Sequence, residues 1–316
     1  MNLRFAALAA FLACLPVAQQ AFAMSGSSSA PAEAQPPALR VIADVMIDGR
    51  GPFHFLFDTG ATQAVIADAT VTRLGLHAQA HRRVRVQGVN GRILAPEVHI
   101  DSLVLGALRW RDIELPMLSG PLFDGLDGII GAQDLSGMKV SVDLLARHCV
   151  IATSPVGAAD DANDMALQLL SRTLPMVSAT LAGTTVQVII DTGATETLGN
   201  PALLAALQSV DALKALHSMP PVWDVTAARQ TGLTGLTPPL HLADVTLQPP
   251  AVTFGDYAVF RRWQLSDHPA LLLGMDSLAT LARFSIDYGR LQLRLHPRVS
   301  AVLSWHGQPQ APAPQS

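Results

Sequence analysis

One short run occurs twice in this chain. Phe55-Leu56-Phe57-Asp58-Thr59-Gly60-Ala61-Thr62 returns as Val188-Ile189-Ile190-Asp191-Thr192-Gly193-Ala194-Thr195. Each copy carries three apolar residues into Asp-Thr-Gly-Ala-Thr. An apolar run that meets Thr-Gly reads as a buried strand ending in a tight turn, with the carboxylate held at the turn. An ionised Asp in such a place is costly unless it is hydrogen-bonded or committed to a chemical task. Two of them in one context predict two carboxylates that face each other.

The surroundings of the two copies also correspond. Asp127-Gly128-Ile129-Ile130-Gly131 follows the first and Ala270-Leu271-Leu272-Leu273-Gly274 the second. The Asp-to-Gly separations are 73 (131 − 58) and 83 (274 − 191) residues, which fits one plan with a modest loop insertion. Beyond each Gly, Lys139-Val140-Ser141-Val142-Asp143 matches Arg283-Phe284-Ser285-Ile286-Asp287. Before it, Val98-His99-Ile100-Asp101 matches Leu240-His241-Leu242-Ala243. A duplicated domain is the economical reading.

These motifs resemble the retropepsin and pepsin class of aspartic proteases. The chain is most similar to the bacterial retropepsin-like form in which two lobes share one chain, over about residues 38–298. The resemblance implies a mainly β fold with a few short helices, built as two pseudo-twofold-related lobes, closed and barrel-like. It implies an aspartic endopeptidase, a hydrolase with Asp58 and Asp191 as catalytic residues. Thr59 and Thr192 would hold the two loops together, each hydroxyl bonding across to the opposite backbone. Ile129, Ile130 and Gly131, with Leu272, Leu273 and Gly274, would pass beneath the loops as buttresses. Ala61 and Ala194 stand where pepsin-like enzymes carry Ser or Thr, which matches the retropepsin type. Gly60 and Gly193 let the backbone pass close to the carboxylates and donate to them, where a side chain would obstruct.

Taken in order, the chain opens with Arg4, an apolar run from Phe5 to Ala18, and Ala21-Phe22-Ala23, the pattern of a secretory signal peptide cleaved after Ala23. The run is shorter than the roughly 20 residues a bilayer span needs. A lipoprotein built on Cys14 is the alternative, although Phe11-Leu12-Ala13 matches it poorly. A flexible Ser/Pro/Ala-rich lead-in fills 24–38, the first lobe 39–153, a linker 154–170, the second lobe 171–298 and a disordered tail 299–316. Once Cys14 is removed only Cys149 remains, so no internal disulfide can form and core burial must supply stability. Export without disulfides favours a bacterial periplasm. Net charge is −4 and only 15% of residues are charged, so no nucleic-acid partner is expected.

Within the first lobe, Asp48-Gly49-Arg50-Gly51 signals a hairpin, and Asp68–Leu74 a helix capped by Asp68 and stopped by Gly75. Gly88-Val89-Asn90-Gly91 signals a second hairpin. At this place retropepsins carry the flap that closes over substrate; an ordinary surface hairpin is the alternative. In the 111–117 strand, Ile113, Leu115 and Met117 are expected inside and Asp112 and Glu114 outside. In the second lobe, Leu203, Leu204, Leu207, Val210, Leu213 and Leu216 keep helical spacing across 201–217, and the flap counterpart is placed near 226–232.

Two carboxylates in contact cannot both ionise, so the pair holds one proton between them. Such a pair can take a proton from an intervening water, which attacks an amide carbonyl, and can protonate the leaving nitrogen. This needs no metal and no cofactor, and one chain carries both halves, so a monomer suffices for a polypeptide substrate. Without a hydroxyl at Ala61 and Ala194, an outer carboxylate oxygen loses a bond that favours ionisation, which points to activity at mildly acidic pH. No His-Glu-x-x-His or Gly-x-Ser-x-Gly is present. Asp124 to Gly128 offers too few oxygens for calcium. His99 and His241 are expected on the surface and Cys149 as an inert buried thiol. The competing class is an exported binding or envelope protein that keeps this fold without turnover.

Overall fold

The computed structural model describes residues 4–5, 40–120, 123, 125–133, 135–155, 164–248 and 251–298. The expected signal peptide apart from residues 4–5, the expected lead-in, residues 156–163 of the expected linker, Asp124 and the expected tail lie outside them. Strands make up 55% of the structure and helices 11%, so the chain is all-β in class.

Six strands of the first lobe close into a barrel. In spatial order they are Ile42–Ile47, Arg50–Phe57, Gly128–Ile130, Val65–Ala67, Leu108–Leu118 and Arg92–Leu105, and the last returns to the first through Met46 opposite Val104. The tight turn at Asp48-Gly49 uses positive φ at both residues (49° and 72°), the geometry whose twist suits a two-residue hairpin. The closing run Phe55-Leu56-Phe57 is buried on both faces. Phe55 and Phe57 enter the main core, while Leu56 points the other way, to a small cluster with Val65, Val86, Ala95, Leu118, Leu126 and Ile129. Double-sided burial explains why this strand reads as a continuous apolar run. In the 108–118 strand Leu115 is buried, Ile113 and Met117 are half-buried and Asp112 is exposed; Glu114 is half-buried, accepting from Gln79 Nε2 at 2.9 Å.

The second lobe repeats this layout around Thr184–Ile190, with Ala270–Leu273 and Leu174–Leu181 on its two sides. Val188 and Ile190 face the main core and Ile189 the opposite cluster. The lobes are joined by a sheet that belongs to neither alone. Leu281–Asp287 pairs with Met138–Asp143 of the first lobe, flanked by Gln292–Pro297 and His148–Thr153. In this pairing Ser285 lies opposite Ser141, Arg283 opposite Asp143 and Asp287 opposite Lys139. Corresponding segments thus meet antiparallel about their own centre, which places the pseudo-twofold axis between Ser141 and Ser285. The result is a mostly β structure with a closed six-stranded barrel, consistent with an acid-protease type of all-β fold.

Two local expectations are corrected. Asp68 is the first helical residue rather than the cap. Ala67 occupies the cap position without a side-chain bond, and the Asp68 carboxylate accepts from Ala69 N, at 2.7 Å. Gly75 does stop this helix in the left-handed region, at φ 70°. The helical stripe of 201–217 also fails beyond its first half. The helix is Pro201–Ser209, Val210 is 54% exposed, and Lys214–Trp223 is a strand paired with Arg229–Leu236. Asp211 turns the chain at φ 50°, and backbone pairing with a distant strand outweighs a local apolar period. Asn200 caps this helix through Leu203 N at 2.9 Å, while its amide donates to Leu265 O and His268 O, both at 2.7 Å.

Candidate active site

Each carboxylate hangs from the end of its buried strand. Asp58 N donates to Ile130 O at 2.9 Å and Asp191 N to Leu273 O at 3.1 Å, so the neighbouring parallel strands fix where the turns begin. Leu56 and Phe57 lie beside Ile129 and Ile130, and Ile189 and Ile190 beside Leu272 and Leu273. The chain then passes under its own loop. Ala132 N donates to Ala61 O and Met275 N to Ala194 O, each at 2.8 Å. This crossing is what requires Gly131 and Gly274. A Cβ at Gly131 would lie 2.7 Å from the Gln63 backbone, and one at Gly274 2.5 Å from Glu196 O.

The two loops are interlocked. Thr59 Oγ1 donates to Ile190 O at 2.7 Å and Thr192 Oγ1 to Phe57 O at 2.6 Å. In return Thr59 N donates to Thr192 Oγ1 and Thr192 N to Thr59 Oγ1, each at 3.0 Å. All four bonds are buried and each has its symmetric counterpart.

This lock brings Asp58 and Asp191 together, and each has a residual exposure of 1%. A Cβ on Gly60 would overlap the Asp191 carboxylate, and one on Gly193 the Asp58 carboxylate. Gly60 N donates to Asp58 Oδ1 at 2.8 Å. Gly193 N and Ala194 N donate to Asp191 Oδ1 at 2.8 and 3.0 Å. Burial pushes the Asp58 carboxyl well above its ordinary range, and the charge and hydrogen bond of Asp191 push it further against the weaker pull of the loop amides. Burial also raises Asp191, although its bonds to Asp58, Gly193 and Ala194 favour the ionised form. Geometrically the pair is close to symmetric, so the shared proton belongs to the pair and not to one residue.

Gly88 to Gly91 forms the turn between Ala78–Gln87 and Arg92–Leu105, closed by Gly88 N to Gly91 O at 2.9 Å. With this hairpin taken as the first and its counterpart in the second lobe as the second, the second hairpin differs from its expected position. Its turn is Asp224 to Ala227, ahead of 226–232, because the Asp224 carboxylate nucleates it by accepting from Thr226 N at 2.8 Å and Thr226 Oγ1 at 2.6 Å. The signal was present in the sequence: Gly88-Val89-Asn90-Gly91 aligns with Asp224-Val225-Thr226-Ala227. The tips cross over. Val89 is buried among Ala194, Val222, Tyr257 and Phe260, while Val225 packs against the first-lobe cluster that holds Leu56 and Val86.

Sequence reasoning missed the residues that steady the loops from outside. The Gln133 side chain accepts from Ala64 N. At the corresponding place Asp276 accepts from Thr197 N at 3.0 Å and Thr197 Oγ1 at 2.6 Å. Asp127 holds the first helix to the barrel, accepting from His54 N at 2.8 Å, Thr70 Oγ1 at 3.0 Å and the Arg73 guanidinium. Only the repeat alignment could have flagged Gln133 and Asp276. His99 and His241 both lie on the surface, and Cys149 is buried, its thiol pushed up to about 11. Among the described residues no group of three or more His, Cys, Asp or Glu is placed to hold a metal ion.

Residues 43–133 match the family described as aspartyl protease, a span that holds Asp58, the first hairpin and Ile129-Ile130-Gly131. That match is consistent with a retropepsin-like aspartic protease family. No curated protein matches it. Among the described residues no helix is long and apolar enough to cross a membrane.

Proposed function

We propose that the protein is an aspartic endopeptidase in which Asp58 and Asp191 activate one water between them. The observation that carries this reading is the mutual packing of two buried carboxylates at the ends of interlocked loops. In that arrangement the ionised oxygen takes a proton from the water, which attacks the scissile carbonyl. The protonated partner donates to the carbonyl oxygen, and a proton later reaches the leaving nitrogen. The substrate is a polypeptide laid between the loops and the two hairpins. One chain supplies both carboxylates, so a monomer is the working unit. The N-terminal pattern supports export to a bacterial periplasm, with a mature N-terminus at Met24; a lipid-modified Cys14 found by mass spectrometry would contradict it.

Cleavage of casein between pH 3 and 7 tests the reading. Asp58→Asn and Asp191→Asn are each expected to lower the rate by about 10²–10⁴-fold while remaining folded. A second reading, a binding protein that keeps the fold, draws on the near-complete burial of both carboxylates. Wild type that is folded yet neither cuts casein nor binds a pepstatin-type inhibitor would establish it instead.

A further inference from the structure

The tip of the first hairpin is held by the second lobe. Asn90 N and Gly91 N both donate to Asp224 Oδ2, the latter at 3.0 Å. Asn90 Nδ2 donates to Val222 O at 2.8 Å, Val259 N to Val89 O at 2.9 Å, and Arg262 Nη2 to Gly88 O at 2.7 Å. Asp224 is the centre of this arrangement. One oxygen organises its own turn through Thr226 while the other takes both amides of the opposing tip, and the residue is only 4% exposed. A carboxylate shared among four donors forms charge-assisted bonds, the stronger kind. Arg262 sets a positive group beside it and, through Gly88 O, holds the same tip. A Cβ on Gly88 would overlap the Asp224 carboxylate, so the closeness of the contact dictates glycine there.

The seated tip also carries a cost. Asn90 Oδ1 is buried without a hydrogen-bond partner. Lifting the tip into water would satisfy that oxygen, so closure is held by Asp224 and Arg262 and opposed by an unmet acceptor on the element that must move. The tip's Val89 packs with Ala194 of the loop that carries Asp191, and both carboxylates are nearly closed to water.

We propose that Asp224 and Arg262 are positioning residues that latch the first hairpin over the carboxylate pair, and that release of this latch governs entry of the polypeptide. The first hairpin is the moving flap, while the second, braced by its own Asp224-Thr226 turn, is the post it closes on. The role in substrate entry rests on the endopeptidase reading; the latch itself does not.

Amide hydrogen exchange over residues 86–93 of the full chain, read by mass spectrometry, tests the latch without requiring turnover. Asp224→Ala is expected to speed exchange there by about tenfold or more, and Arg262→Gln by less, with residues 186–195 unchanged. Arg262→Lys, which keeps a donor for Gly88 O, is expected to restore most of the protection. Unchanged exchange at 86–93 in folded Asp224→Ala overturns the latch; should that variant not fold, unchanged exchange in Arg262→Gln does so. The association rate of a pepstatin-type inhibitor is the second readout and is expected to rise several-fold in Arg262→Gln. A rate that stays fixed while exchange rises overturns the link to entry. No binding by any form, with exchange still raised, sinks the endopeptidase reading and leaves the latch standing.

Discussion

Asp58 and Asp191 are buried at a cost that the rest of the site is arranged to limit. Their ordinary value is 3.8, and in the fold both lie above it. Between pH 3.8 and the raised values the native pair therefore binds more protons than the unfolded chain, and stability falls as pH climbs through that window. The penalty is absent below the window and complete above it. Asp58→Asn, which carries no charge at any pH, is expected to melt higher than wild type at pH 7, by about 2–4 °C for each kcal/mol relieved. The difference should vanish near pH 3.5. Scanning calorimetry at the two pH values measures it, and a mutant that melts lower at pH 7 would show that the buried charge is not a net cost. The same raised values favour mildly acidic activity, because a pair that shares one proton persists further toward neutrality.

At the scale of elements, the site depends on strands passing closely beneath loops. Gly274 ends the Ala270–Leu273 strand where it slips under the 191–197 loop, and the group a Cβ would strike is the Glu196 backbone, which cannot rotate away. Gly274→Ala is expected to destabilise the fold by about 1–3 kcal/mol and to move Asp191 through the Met275 N to Ala194 O bond. Urea unfolding gives the first number and casein cleavage the second effect; stability within 0.5 kcal/mol of wild type would contradict the crowding. At the opposite place, Gly131, the crossing is equally close, so the two halves solve one packing problem in one way. They part company in how their helices are fixed. The first lobe uses Asp127 on Thr70 and Arg73, the second an Asn200 cap tied back to Leu265 and His268.

Across the whole molecule, the joining sheet carries the pseudo-twofold that sets the carboxylates face to face. Its Gln292–Pro297 strand is anchored by Arg294, whose Nε and Nη2 donate to Asp164 at 2.7 and 2.8 Å, with the carboxylate nearly enclosed. Removing one partner leaves a charge in a place water hardly reaches. Arg294→Gln is expected to cost about 1–3 kcal/mol, read as a lower urea midpoint with both lobes unfolding together. Two separated transitions in that variant would mean that the sheet couples the lobes less than its continuous pairing implies.

While the all-β class and the strand crossings at Gly131 and Gly274 came from the family resemblance of the motifs, the sequence by itself determined the strand-turn geometry at Asp58 and Asp191 and the glycines at 60 and 193. These are local demands: a buried run ends, a carboxylate sits at a turn, and a backbone passes too close for a side chain. Position along the chain also revealed which segments correspond, including the Ser141 and Ser285 strands that meet about the axis. Tertiary structure decided what local patterns leave open. Leu213 and Leu216 keep a helical period, yet they lie in or beside a strand because Arg229–Leu236 offers the backbone a partner. Asp224 looks like an ordinary turn residue until the opposing hairpin brings Asn90 and Gly91 to its free oxygen. Periodicity reports a residue's neighbours along its own element, whereas partners more than 130 residues away are chosen by the packing of two lobes.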